Sequence, residues 1–324
     1  MGTAAIHRKR KKLSRCYQLV SESLAIKNEY VSEDYLRSKI NYITNGIEYQ
    51  FLTHYFGEPP NWRLFLRKFK CNRTLPDFCV IGPIKSGTSD LAVNLMMHPN
   101  IMAPLSKEIY CADPEDWRIY YPTQQQKKRH ADRYGSAYSP YLGPFLHWME
   151  LTYNLAQAQP NTKIVLILRD PVKRVYSHWK WEILNSGRKR ADKLPFLKTF
   201  PDYVNKALAV FPEYPMFTAC DSEVLQTGIY WKAVNYWIEC FGRNNVLTLD
   251  IEDYFVNSNH FLGKIFAFLG LPNFDCPTAI NKINENPISL PPPDEESMLK
   301  LSKFYSPYNK KLWSLLEKEF NWCE

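Results

Sequence analysis

The residues best suited to chemistry lie in one stretch, DFCVIGPIKSGTS, residues 77–89. An apolar run, Phe78 to Ile81, enters a turn holding Gly82, Lys85, Ser86, Gly87 and Thr88; an apolar, helix-like stretch from Leu91 to Met97 follows. A strand, a glycine-bearing turn and a helix make a cradle for an anion. The turn's N–H groups and the helix N-terminus point at a phosphate, and a lysine adds a point charge. Gly87 lets the backbone approach the phosphate. Thr88 and Ser89 stand at the helix start, where they bond phosphate, cap the helix, or both. The spacing argues against an ordinary ATPase or kinase loop, which places its lysine directly after the second glycine. Gly82 and Gly87 keep that loop's separation, but Thr88 follows Gly87 and the lysine, Lys85, sits inside the turn. No magnesium ligand is evident behind a second strand.

Such groups need rigid elements behind them. Residues 78–84 read as a first strand and 88–97 as a first helix. Residues 143–158 are amphipathic and helical, ended by Pro160. Residues 163–168 and 245–250 read as further short strands, and Pro171 opens a helix that carries Ser177. Strands alternating with helices predict an α/β fold with a central parallel sheet flanked by helices on both faces. Length alone would allow two domains, but α/β enzymes of 324 residues often form one. The expected organisation is a basic, disordered tail over 1–15, a helical N-terminal extension over 16–70 with no visible chemistry, and one domain over 71–324. Residues 186–195 read as a basic loop and 286–296 as a proline-rich one.

A second motif, KIVLILRDPVKRVYSHW at 163–179, completes a pattern. With it the chain resembles the sulfotransferases that use 3′-phosphoadenosine 5′-phosphosulfate (PAPS). Their 5′-phosphosulfate loop reads like K-[SG]-G-T after a strand. Their 3′-phosphate site reads like a strand, R-D-P and a serine on the next helix. The stretch 228–250 and the ending KLWSLLEKEFNW, 311–322, are similar to the family in style, so the resemblance spans roughly residues 75 to 324. The wording KSGTSDL is most similar to Golgi carbohydrate sulfotransferases acting on chondroitin or heparan-type glycans.

The resemblance implies a single domain with a nucleotide-kinase-like phosphate loop, PAPS as donor and no required metal. It implies sulfuryl transfer to a carbohydrate hydroxyl by in-line displacement. The acceptor must lose a proton as it attacks, so a base is needed. The bridging oxygen gains charge, so a cation is needed beside it. Lys85 takes the cation's place, and Lys85, Ser86, Gly87, Thr88 and Ser89 hold the 5′ end of the donor. Arg169 and Ser177 hold the 3′-phosphate, an arginine fork suiting phosphate bidentately. Glu108, in PLSKEIY and 23 positions after Lys85, falls where carbohydrate members keep their base.

Each role has a plainer alternative. Glu108 could simply pair with Lys107, Arg169 with Asp170, and Ser177 could face solvent. His98 and His130 are alternative bases, as cytosolic members use histidine. His178 and Trp179 read as packing or cleft-wall residues. Two departures from the family stand out. Residues 134–141, YGSAYSPY, lack the lysine that many heparan-type members place there, leaving Ser136, Tyr138 or Ser139 to line the cleft. The C-terminal nucleotide loop is replaced by NKINENPISLPPPDEE, with Lys282 as a remnant.

Composition fits a sizeable core, at 45% apolar and 15% aromatic residues, and the net charge of +8 favours anionic partners. Arg188, Lys189 and Arg190 could guide an anionic glycan. No nucleic-acid partner is expected. A small hydroxylated acceptor, a non-catalytic glycan- or nucleotide-binding role on the same fold and, more weakly, a nucleotide kinase are the competing readings. Eight cysteines without a C-x-x-C pair give no zinc signature, and the even number permits disulfides. No transmembrane segment or secretory apolar region is visible. The expected location is the Golgi lumen if an anchor lies outside this sequence, and the cytoplasm otherwise.

Overall fold

A computed structural model describes residues 64–65, 67, 72–186, 194–212, 223–275 and 290–322. The apolar runs form four parallel strands: β1 (Phe78–Ile81), β2 (Pro140–Gly143), β3 (Lys163–Leu168) and β4 (Val246–Asp250). They pair in the order β2-β1-β3-β4. Val80 lies opposite Leu142 on one side and Val165 on the other, and Leu166 lies opposite Thr248. The helices used below are α1 (Thr88–Leu95), α2 (Gln124–Tyr134), α3 (Met149–Ala158), α4 (Pro171–Ser186), α5 (Phe200–Val210), α6 (Trp231–Phe241), α7 (Ile251–Val256), α8 (Ser258–Leu269) and α9 (Glu295–Leu316).

The strands are continuous apolar runs because both faces of the sheet are covered. Alternate residues serve opposite layers. Cys79, Ile81, Ile164, Leu166 and Leu168 pack against α3, α6 and α9 through Leu151, Leu155, Trp237 and Leu312. Phe78, Val80, Val165 and Ile167 pack against α1, α7 and α8 through Leu91, Leu95, Tyr254 and Phe261. A third cluster joins α4, α5 and the first half of α9 around Trp179, Tyr203 and Tyr305.

Several expected boundaries move, each for a local reason. The strand expected over 78–84 ends at Ile81, because Pro83 cannot donate to the ladder. The helix expected over 88–97 ends at Leu95, ahead of His98-Pro99, where the residue before proline avoids the helical region. Residues 143–158 are not one helix. Gly143 closes β2 and the helix starts at Met149. Of the expected N-terminal extension, only Leu64, Phe65 and Arg67 are described, and they are helical. The expected tail over 1–15 lies outside the described residues.

The β1 exit is tightly built. A Cβ on Gly82 would lie 2.3 Å from Ser86 Oγ and 2.7 Å from the Ile167 carbonyl of β3. Serine can rotate; a strand carbonyl cannot move without breaking register. We expect Gly82→Ala to destabilise the protein by about 1–3 kcal/mol, read as a lower denaturant midpoint. An unchanged midpoint would show that this strand exit has slack.

Candidate active site

The strand order locates the site. From β1 the chain moves to β2 on one side, then returns across β1 to β3 on the other. In open α/β sheets such a reversal leaves a crevice beyond the C-terminal ends of the two diverging strands. The crevice here lies beyond β1 and β3. The turn 82–87 leaves one of these strands and Arg169 leaves the other.

The turn is shaped for an anion. Lys85 has φ 70° and Gly87 φ 79°. A left-handed lysine costs on the order of 1–2 kcal/mol and persists only where the surroundings enforce it, typically at functional sites. Ser86 is fully buried and its Oγ donates to the Pro83 carbonyl at 2.7 Å. It therefore braces the turn. Gly87 is the N-cap of α1, and no side chain caps that helix. Thr88 and Ser89 thus stand inside the first turn, Thr88 buried and Ser89 half-buried. The capping alternative for them is not realised. A Cβ on Gly87 would lie 2.8 Å from Ile251 Cγ1, so α7 closes against this glycine.

Arg169 ties the two strand ends together. Its Nη1 donates to the Lys85 carbonyl at 3.0 Å, and its own carbonyl accepts from the Tyr230 hydroxyl at 2.9 Å. Arg169 Nε reaches Glu252 Oε1 at 3.2 Å, while Lys173 Nζ reaches Glu252 Oε2 at 3.3 Å. The carboxylate beside Arg169 is therefore Glu252 of α7. Asp170 accepts from Val172 N at 2.9 Å at the start of α4. Ser177 is half-buried on α4, two turns further on.

Positive charge is concentrated around Lys85. Burial first, and then the neighbouring Arg169, Lys180 and Lys107, push its ammonium down to about 8, with Asp90 opposing them. Its Nζ also sits 5.8 Å from the centre of the Trp181 ring. His178, on the same helix, pairs with Glu182 at 3.3 Å. Burial holds its imidazole below the ordinary value, against the pull of Glu182, and Lys85 adds to the lowering.

Glu108 lies in a loop without regular structure that is pinned from several elements. Tyr141 of β2 donates to the Ile109 carbonyl at 3.0 Å, and Trp117 Nε1 to the Cys111 carbonyl at 3.0 Å. The Glu108 carboxylate pairs with Lys107 through Oε1 and accepts from the Tyr110 hydroxyl through Oε2 at 2.8 Å. Burial pushes this carboxyl up, but Lys107 and Tyr110 together outweigh it and hold it below the usual range. The Lys107 charge is felt at Lys85, so the two ammonium groups lie within electrostatic reach of each other.

The other candidates are placed elsewhere. His98 is buried beyond the far end of α1, with Nε2 2.9 Å from the Pro272 carbonyl and its ring against Phe266. Eight helical residues at 1.5 Å each separate it from the turn. His130 lies on α2 against the Pro99 carbonyl at 2.7 Å. Ser136, Tyr138 and Ser139 do not line the cleft. They precede β2 at the N-terminal edge of the sheet, where Ser139 N donates to Asp77 Oδ2 at 2.6 Å and Asn100 Nδ2 to Ser136 Oγ at 2.7 Å. A parallel sheet puts that edge opposite the crevice. Arg188, Lys189, Arg190 and Lys282 lie outside the described residues.

Sequence reasoning gave no role to Lys107, Lys180, Trp181 or Glu252. Trp181 was findable, since it lies four residues after Ser177 and so shares its helix face. Glu252 carried no signal; only the β3–β4 pairing brings it to Arg169. Among the described residues, no helix is long and apolar enough to cross a membrane.

The family model described as "Sulfotransferase domain" matches residues 75–290. Human (Homo sapiens) carbohydrate sulfotransferase 15 is 25% identical over 77% of this chain, and the chain spans 55% of that relative. Human bifunctional heparan sulfate N-deacetylase/N-sulfotransferase 3 is 24% identical over 76% of the chain and 30% of the relative. The chain therefore spans about half the length, or less, of these two curated relatives. A crystal structure of a sulfotransferase from Alicyclobacillus acidocaldarius superposes with a TM-score of 0.54 at 20% identity, covering 76% of this chain and 98% of that one, and shares its fold.

Proposed function

We propose that this chain, which belongs to the sulfotransferase domain family, transfers a sulfuryl group from PAPS to a hydroxyl of a glycosaminoglycan-like carbohydrate. The observation that carries this reading is the 3.0 Å bond from Arg169 to the Lys85 carbonyl. It makes the two phosphate grips one assembly at adjoining strand ends, as a nucleotide with phosphate at both its 5′ and 3′ positions requires.

Turn residues Lys85 to Ser89 take the 5′-phosphosulfate on backbone N–H groups and the uncapped start of α1. Arg169 and Ser177 take the 3′-phosphate. The acceptor oxygen attacks sulfur from the side opposite the bridging oxygen, and its proton passes to Glu108. A new S–O bond forms as the bridging S–O bond breaks. The bond pair stays on the bridging oxygen, where Lys85 stabilises it. The products are a sulfate ester and adenosine 3′,5′-bisphosphate. The names of the relatives support the acceptor class, as does Lys180, whose charge is felt at Lys85 and attracts an anionic chain. A glycan acceptor puts the reaction where such glycans are assembled, in the Golgi lumen.

A thermal-shift comparison tests donor recognition without knowledge of the acceptor. Adenosine 3′,5′-bisphosphate at one hundred times its dissociation constant should stabilise the fold by about 2.7 kcal/mol, and magnesium–ATP should do far less. Arg169→Ala should remove most of the bisphosphate shift. An equal or larger shift with ATP, or an unaltered one in the variant, contradicts the assignment.

A further inference from the structure

The Glu108 carboxylate is held at both ends by neighbours that the transfer mechanism leaves unused. Lys107 takes Oε1 and the Tyr110 hydroxyl donates to Oε2 at 2.8 Å. Lys107 is largely buried, with 13% of its side chain exposed, whereas Tyr110 is 70% exposed and rests edge-on against Phe145 at 5.0 Å. The backbone beneath them is fixed separately, by Ser106 Oγ on the Glu108 carbonyl at 3.1 Å and Tyr141 on the next one. The side-chain contacts are thus not needed to hold the loop. They fix where the carboxylate points.

We propose that Lys107 and Tyr110 are positioning residues that clamp the two oxygens of Glu108, one each, and aim its remaining lone pairs at the acceptor hydroxyl. The proposal rests on Glu108 being the base of the transfer proposed above. Each carboxylate oxygen has two acceptor sites, so one stays open on each after the clamp closes. The groups facing Glu108 are Lys107 and Tyr110 from its own loop and Tyr141 from β2. Partial desolvation and the neighbouring Glu108 carboxylate raise the Tyr110 hydroxyl well above its ordinary range, and burial does the same for Tyr141, so Tyr110 donates at any working pH. The clamp therefore favours the charged carboxylate, and a base so held stays ready in mildly acidic surroundings.

The test is a carboxyl ¹³C NMR titration of the full chain labelled at glutamate. The Glu108 signal is identified as the one missing from Glu108→Gln. Its midpoint should lie below the usual carboxylate range and rise in Tyr110→Phe, which keeps the ring against Phe145. It should rise by about one pH unit in Lys107→Met, as loss of an opposite charge predicts. Retained stabilisation by adenosine 3′,5′-bisphosphate shows that each variant is folded. Should Lys107→Met not fold, the exposed Tyr110 position decides alone. A midpoint unmoved in the folded variants overturns the clamp, whatever the activity of Glu108→Gln. Full turnover by Glu108→Gln removes the base instead, and the titration still reports whether the clamp exists.

Discussion

Lys85→Ala is expected to lower turnover by about 10²–10³-fold, the loss of about 2.7–4 kcal/mol that follows removal of one preorganised electrostatic donor. The substitution removes the cation and leaves the backbone, because alanine adopts the left-handed φ of 70° with strain similar to that of lysine. The turn should survive, so the defect should appear in turnover more than in donor affinity. A companion measurement gives the sign. Burial and the cations Arg169, Lys180 and Lys107 push Lys85 down to about 8. The active form is the charged one, so kcat/KM should fall as pH rises through about 8, since this ratio reports the free enzyme. Donor phosphate favours the ammonium, so the kcat limb should lie higher. Lys85→Arg, which stays charged throughout, should lose the alkaline limb. Turnover unchanged in Lys85→Ala would remove the lysine from the mechanism.

Glu108→Gln is expected to cost about 10²–10⁴-fold in turnover, the usual contribution of a positioned general base. The shape is kept, Tyr110 can still donate to the amide oxygen, and only the proton-accepting charge is lost. Binding of adenosine 3′,5′-bisphosphate should be unaffected, because the proposed mechanism gives Glu108 a contact with the acceptor and none with the donor. Radiolabelled sulfate transferred from PAPS to chondroitin and heparan acceptors gives the measurement. Turnover within a few-fold of the parent would transfer the role to another group. His178 is then the candidate, since its ring is held neutral by burial, pairs with Glu182 and feels the charge of Lys85. A protein that only binds nucleotide or glycan would show no transfer before the substitution either.

What the sequence disclosed follows how local each signal is. β1 and β3 were legible because buried strands of a parallel sheet are unbroken apolar runs, FCVI and IVLIL. β2 was not. PYLG opens on proline, ends on glycine and spans four residues. It is tolerated as a strand because it lies at the sheet edge and its proline is the first residue. The helix α2 went unassigned because it buries none of its residues, so it has no apolar stripe to read. Its ends were nevertheless written in the chain. Thr123 and Gln126 form a capping box, and Gly135 closes it at φ 89°.

The site divides in the same way. Arg169 stands directly after β3, and Lys85 and Gly87 lie in the turn that leaves β1, so motif and position agree. Lys107 and Tyr110 gain meaning only beside Glu108. Glu252 reaches Arg169 only because β4 pairs with β3. The roles expected of Ser136, Tyr138 and Ser139 failed because distance along the chain does not tell which end of a sheet a residue joins.

The most direct test of the account is a crystal structure of the full chain with adenosine 3′,5′-bisphosphate. The account predicts the 5′-phosphate on the turn Lys85 to Ser89, with the ammonium of Lys85 beside it. It predicts the 3′-phosphate on Arg169 and Ser177, with Glu252 drawn back from the guanidinium. Nucleotide bound at another place, or with its 3′-phosphate clear of Arg169, would contradict it.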